Sequence, residues 1–341
     1  MQDKDNHLIF LLPTLKRFFL TIVSLVCLSA VGFAQSKDVM VLADSLKALS
    51  LYDNNGWGGT PKEWTWQEQL KAVATNDDLV LLVTSHPNAA ARAFSFHALA
   101  SRKDQRYREI LYNSLHDTAR FTLKAFDVWV GSNVANYMVS VLVDKLGYMS
   151  IQDSITLDSV ILYTPNLSHI SYLHEILQRL PVDDRYYSRI REMFYDEHYA
   201  PALPVLCRYR RDADKTAVIE CLLEYSKGLD KENVCTGEPQ GRTNEGLIAV
   251  ALWPDPDFLP ALKKVRDYEV KRTHYDYQRI CLFYLALMAY DDEQSYQFIE
   301  KTLEMTKRNK STRKYHTRYF GKAYKRNPVP RYKPLLDMYS E

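Results

Sequence analysis

An apolar helical stretch, a short polar break, an Asp and a second apolar stretch recur along this chain. The pattern reads Ala98-Leu99-Ala100-Ser101-Arg102-Lys103-Asp104, then Ala251-Leu252-Trp253-Pro254-Asp255-Pro256-Asp257, then Ala286-Leu287-Met288-Ala289-Tyr290-Asp291-Asp292. In each, an Asp lies six residues beyond an Ala that ends an apolar face. Apolar positions at this spacing predict amphipathic helices, and an Asp at the break suits a helix N-cap. One helical hairpin cannot cover its own apolar face, so recurrence predicts hairpins stacked side by side. The expected fold is all-α: an α-α superhelix of stacked antiparallel hairpins, about six to eight of them.

The same periodicity predicts a first helix over 37–52, with Val41, Leu42, Leu46 and Leu49 on one side. Residues 53–61 break it with three glycines and a proline. Helices follow over 67–74, 89–100 and 104–115, with Leu79, Leu82 and Val83 continuing the core. Another is expected over 120–130, carrying Phe121, Leu123, Ala125, Phe126 and Trp129. Apolar stretches at 172–180 and 202–210 meet breaks at Asp184 and Asp214. The long polar link 228–244 reads as an inserted loop within one array.

The segment His86-Pro87-Asn88-Ala89-Ala90-Ala91-Arg92-Ala93-Phe94-Ser95-Phe96-His97-Ala98-Leu99 resembles the first helix of a HEAT-like repeat. Asp117-Thr118-Ala119-Arg120-Phe121-Thr122-Leu123-Lys124-Ala125-Phe126 repeats the pattern 28 positions on, with Arg120 in the place of Arg92. The likeness implies a HEAT- or armadillo-like solenoid of a secreted bacterial type, covering residues 66–305. It carries no catalytic residue and no cofactor, and implies a partner bound on the repeat surface.

Lys16-Arg17, the apolar run 18–33 and Gly32-Phe33-Ala34 have the three parts of a secretory signal. Cleavage is expected after Ala34, which makes the protein periplasmic or extracellular. Cys27 lies inside the apolar run after Val26, which excludes lipid attachment there. No later segment approaches a membrane span. Export permits disulfides among Cys207, Cys221, Cys235 and Cys281, and sequence leaves all three full pairings open. The domain plan is a signal peptide (1–34), an N-terminal helix and Gly/Trp-rich cap (35–65), the repeat array (66–305) and a basic C-terminal cap (306–341).

Chemistry-bearing motifs are sparse. There is no Gly-x-Ser-x-Gly elbow, no CxxC pair, and no second His to complete a zinc helix around His174-Glu175. The pairs Asp77-Asp78, Asp183-Asp184 and Asp291-Asp292 sit at hairpin breaks and read as helix caps. No cofactor and no metal are expected. A formal net charge of +2 gives the whole molecule no strong pull on polyanions. The C-terminal segment is different: basic residues interleave with aromatics through Arg313, Lys314, Arg318, Tyr319, Lys322, Lys325 and Arg326. With Trp57, Trp64 and Trp66 these are the candidate partner-binding residues. The leading expectation is an exported non-enzymatic scaffold that binds a protein or surface polymer. The first alternative is an anionic-glycan or polyanion module built on the basic segment, and the second is a polysaccharide-processing enzyme on a helical toroid. Nucleic acid ranks below surface polysaccharide as a partner, because an exported protein meets the latter more readily.

Overall fold

The computed structural model describes residues 37–50, 62–125, 128–145, 149–224, 242–271 and 275–339. The expected signal peptide, Trp57 with the whole of its Gly-rich break, Cys235 and the link up to residue 241 lie outside them. The described chain is mostly helical, with one small sheet, and it divides into two compact units, Met1–Ser150 and Ile151–Glu341. No described helix is long and apolar enough to cross a membrane.

In the first unit, α1 (Lys37–Ser45) and α2 (Lys62–Val73) pack together, as do α3 (Asn76–Ser85) and α4 (Ala89–Ser101). Thr75 opens α3 with a capping box closed by Asp78, and Asn88 caps α4 through the amides of Ala90 and Ala91. Small residues on α4, with Ala90, Ala91, Ala93, Ala98 and Ala100 all buried, let its neighbours approach closely. Those neighbours include α2, α3, α5 (Tyr107–Asn113) and α6 (Val134–Ser140).

Two expectations fail here. The first helix ends at Ser45; Ala48–Ser50 form a strand, β1, and Val41 faces solvent while Val39, Ala43 and Leu46 are buried. The expected helix over 120–130 is a β-hairpin, β2 (Arg120–Ala125) and β3 (Val128–Asn133), paired antiparallel from Arg120–Asn133 to Ala125–Val128. β1 pairs with β2 in parallel, giving the order β1-β2-β3. Phe121, Leu123 and Ala125 alternate with Thr122 and Lys124, which is the two-residue period of a strand, and Val128, Trp129 and Val130 favour extended backbone. The second HEAT-like segment is therefore not helical at its core. Arg92 and the break before that segment bind each other: its Nε and Nη2 donate to the two Asp117 carboxylate oxygens at 2.8 and 2.9 Å.

The second unit contains α7 (Ile151–Tyr163), α8 (Tyr172–Arg179), α9 (Asp184–Tyr195), α10 (Ala202–Cys207), α11 (Lys215–Leu222), α12 (Thr243–Leu252), α13 (Leu259–Glu269), α14 (Tyr277–Met288), α15 (Glu293–Thr306), α16 (Lys310–Arg326) and α17 (Lys333–Tyr339). Packing follows a next-but-one rule: α8 meets α10, α10 meets α12, α12 meets α14, and α14 meets α16. Asp183 caps α9 and Asp292 closes a capping box on α15, as the break pattern predicts. The recurrent break also has a backbone cause. Lys103 and Asp291, each just before the marking Asp, take left-handed φ of 57° and 47° and so terminate the preceding helix. Asp104 and Asp257 mark breaks without capping: Asp104 accepts from Arg106 and Asn76, and Asp257 pairs with Lys215.

Cys207, Cys221 and Cys281 are buried free thiols, so the Cys207–Cys221 bridge that antiparallel helices would allow is not formed. Burial pushes the Cys221 thiol up to about 12, which keeps it protonated and inert at neutral pH.

Gly246 on α12 is required by close approach: a Cβ there would lie 3.0 Å from the Leu222 backbone nitrogen and 3.3 Å from Cys221 Cβ. Gly246→Ala gains about 1 kcal/mol of helix propensity. Overpacking costs about 1–3 kcal/mol and dominates. Urea unfolding is expected to show a lower midpoint for this variant, whereas an unchanged or higher midpoint would mean that α11 and α12 can yield without cost.

Candidate functional site

The basic segment is folded as α16, the longest described helix. Asn309 opens it by accepting from the amides of Ser311 and Thr312, and Lys325 and Arg326 close it where positive charge complements the helix dipole. Its sequence holds seven Lys or Arg residues and no carboxylate. Thr312, His316, Phe320 and Ala323 recur at helical spacing and are buried. They seat the helix on α14, where the Tyr284 ring lies 5.2 Å from Phe320 and its hydroxyl lies 2.9 Å from His316 Nδ1.

That seating fixes which side of α16 faces outward. Tyr315 and Tyr319 are half-buried along the seam with the start of α14, and there they form a staircase of rings. Tyr275 lies 4.6 Å from Tyr315, Tyr315 lies 5.1 Å from Tyr277, and Tyr277 stacks on Tyr319 at 5.2 Å with planes 8° apart. Lys322 Nζ covers the far end, 4.5 Å from the Tyr319 centroid. Below it, Arg326 Nη1 reaches Cys281 Sγ at 3.7 Å. Tyr275 is anchored at the other end by a 2.9 Å hydrogen bond between its hydroxyl and Thr312 Oγ1. A hydrogen bond to Tyr315 raises the Tyr277 phenol above its ordinary value, so this hydroxyl stays a protonated donor at neutral pH. Burial raises the Cys281 thiol against the opposing pull of Arg326 and Lys322, so this cysteine is no nucleophile.

Lys314, Arg318 and Lys325 form an exposed stripe beside the staircase, because residues four and seven apart share a helix side. Among the described residues, no carboxylate lies in ion-pairing distance of these three, in contrast to Lys333 with Asp337 or Lys307 with Glu304. Arg313 is half-buried on a different side of the helix and does not join the stripe. Trp64 and Trp66 are half-buried on α2, in the first unit.

Sequence reasoning singled out the cations of this segment as a basic cap but missed Tyr275 and Tyr277, which come from before and within α14. The local signal was only a pair of tyrosines two apart. What makes them matter is a contact with residues about forty positions later, which helical periodicity does not report.

Other polar clusters are tied up in holding the fold. Lys215 bridges Asp212, Asp255 and Asp257 at 3.2, 2.9 and 2.8 Å. Asp214 is buried, accepts from the Tyr187 hydroxyl at 3.0 Å, and has its acidity weakened by desolvation. In the first unit a pocket of about 150 Å³ is lined by Ala100, Lys103, Tyr107, Arg108, Leu142 and Met149, with no acid–base pair in its wall. Among the described residues, no group of three or more His, Cys, Asp or Glu side chains is placed to hold a metal ion. No protein-family model, curated protein or solved structure matches this chain, so the geometry of the α14/α16 face carries the functional argument.

His316 gives that seating a pH limit. Burial lowers its pKa from 6.5 to about 4, outweighing a favourable contact from the Glu269 backbone carbonyl. The unfolded chain therefore takes up a proton between those values that the folded chain refuses. Stability is fully present above pH 6.5 and falls by up to about 3 kcal/mol as pH drops to 4. Denaturant midpoints measured across this range should decline for the native chain, and the decline should flatten in His316→Gln. Parallel curves for the two proteins would place the acid sensitivity elsewhere.

Proposed function

We propose that this chain is an exported, non-enzymatic binding protein and that an acidic partner docks on the α14/α16 face of its second unit. The observation that carries this reading is the trio Lys314, Arg318 and Lys325, exposed and without ion-pairing carboxylates among the described residues, beside the tyrosine staircase. Some exposed cations elsewhere are ion-paired: Arg106 with Asp77 and Asp104, Arg211 with Asp184, Arg331 with Asp291. Unpaired like charges on one helix repel one another, so their retention here costs stability and calls for a compensating ligand.

The broader architecture supports a repeat scaffold. The series α8, α10, α12, α14 and α16, each packed on the next, is the neighbour-to-neighbour arrangement of stacked hairpins. The HEAT-like reading of residues 66–305 is kept in this form, with the β-hairpin at 120–133 as an interruption. Such arrays offer an extended surface, and α16 lies at the last step of this series, where one side of the helix is left open to solvent.

Chromatography on immobilised heparin tests the reading. The chain carries a formal net charge of only +2, so retention requires clustered cations. At 50 mM salt, about the low end of the usual range for such contacts, the full chain is expected to bind and to elute as salt rises. The triple variant Lys314→Gln, Arg318→Gln, Lys325→Gln should pass through, with a melting temperature no lower than that of the native chain. Flow-through of the native chain, or equal retention of both proteins, would remove this face as the docking site.

A further inference from the structure

We infer that the partner on the α14/α16 face is a linear acidic polysaccharide of the polyuronate class, lying along the axis of α16. This rests on the docking face proposed above and adds the chemistry of what occupies it.

The first observation is the spacing of charge. Lys314, Arg318, Lys322 and Lys325 follow one another at intervals of four, four and three residues. With a rise of about 1.5 Å per residue they stand about 4.5–6 Å apart over about 17 Å. One cation per helical turn on a straight rod matches a stiff polymer bearing one charge on every unit. A polyuronate has one carboxylate on each sugar, fixed by the ring, at a spacing of the same order. A flexible acidic peptide would have to be ordered on docking, losing backbone entropy at every residue.

The second observation is what the tyrosines present. Tyr315 lies between Tyr275 and Tyr277, Tyr277 between Tyr315 and Tyr319, and the outer end of Tyr319 is covered by Lys322. The ring faces are thus filled by one another and by a cation. Binding of single-stranded nucleic acid relies on open aromatic faces for the bases, and Tyr315, Tyr277 and Tyr319 have theirs occupied. What remains outward are ring edges, which carry partial positive charge, and phenolic hydroxyls, which donate hydrogen bonds. Edges, hydroxyls and cations together suit carboxylates and sugar hydroxyls.

The third observation is the lack of an apolar anchor. The exposed described residues of this face include Lys314, Arg318, Lys322, Lys325, Arg326, Gln278 and Tyr277, with no exposed aliphatic side chain among them. Protein partners bury an apolar centre with a polar rim, and this face has only the rim chemistry.

Fluorescence anisotropy of the full chain with labelled polygalacturonate at low salt tests the inference, with polyglutamate, oligothymidylate and neutral dextran as parallel probes. Polygalacturonate should bind at least tenfold more tightly than polyglutamate or oligothymidylate of equal charge, and dextran should not bind. The triple Gln variant at 314, 318 and 325 should weaken polygalacturonate binding at least tenfold. It should also lower the slope of log affinity against log salt by about two, at ~0.7 per cation. Lys263→Gln, an exposed lysine on α13, should change neither. Equal or tighter binding of polyglutamate or oligothymidylate would overturn the polysaccharide assignment and leave the docking face standing. Failure of every polyanion to bind, or an unaffected triple variant, would overturn both.

Discussion

The buried seat of α16 on α14 is the constraint on which the functional face depends. Phe320, His316 and Thr312 go inward because Tyr284, Tyr275 and their neighbours receive them, and every outward residue of α16 takes its bearing from that. A rotation of the helix by one residue, about 100°, would bury a lysine and break the tyrosine staircase. His316 sharpens the fit: its ring is held neutral by burial and bonded to a fully buried tyrosine, so the seat is specific as well as apolar.

From that seat follows an unusual division of labour among aromatic residues. In many binding faces, tyrosines offer their rings to the ligand. Here they spend their faces on each other and leave only edges and hydroxyls outward, so selectivity falls to charge spacing and hydrogen bonding. The cations beside them are not ion-paired among the described residues, whereas Arg92, Arg106 and Lys215 tie breaks to neighbouring Asp residues.

Much of the fold is legible in the sequence. Ala-rich and Leu-rich runs at helical spacing become α4, α12 and α14, and Asp183 and Asp292 cap as their positions suggest. The hairpin at 120–133 is the main loss. Its alternation through Phe121, Leu123 and Ala125 is plain in isolation, but an Asp turn followed by Arg120 in the place of Arg92 favours a second helix. The structure uses that Arg92–Asp117 spacing to make one contact between the two segments. The basic helix is visible in composition, whereas Tyr275 and Tyr277 become part of the site only through contacts across the α14/α16 seam. Trp64 and Trp66, read together with the basic segment as one aromatic and cationic constellation, fall in a different unit.

The most direct measurement is lysine footprinting of the full chain, by acetylation with and without polygalacturonate at low salt and read by mass spectrometry. The account predicts protection concentrated at Lys314, Lys322 and Lys325, with Lys37, Lys62 and Lys263 unchanged. Protection spread evenly over the lysines, or centred on another helix, would contradict it.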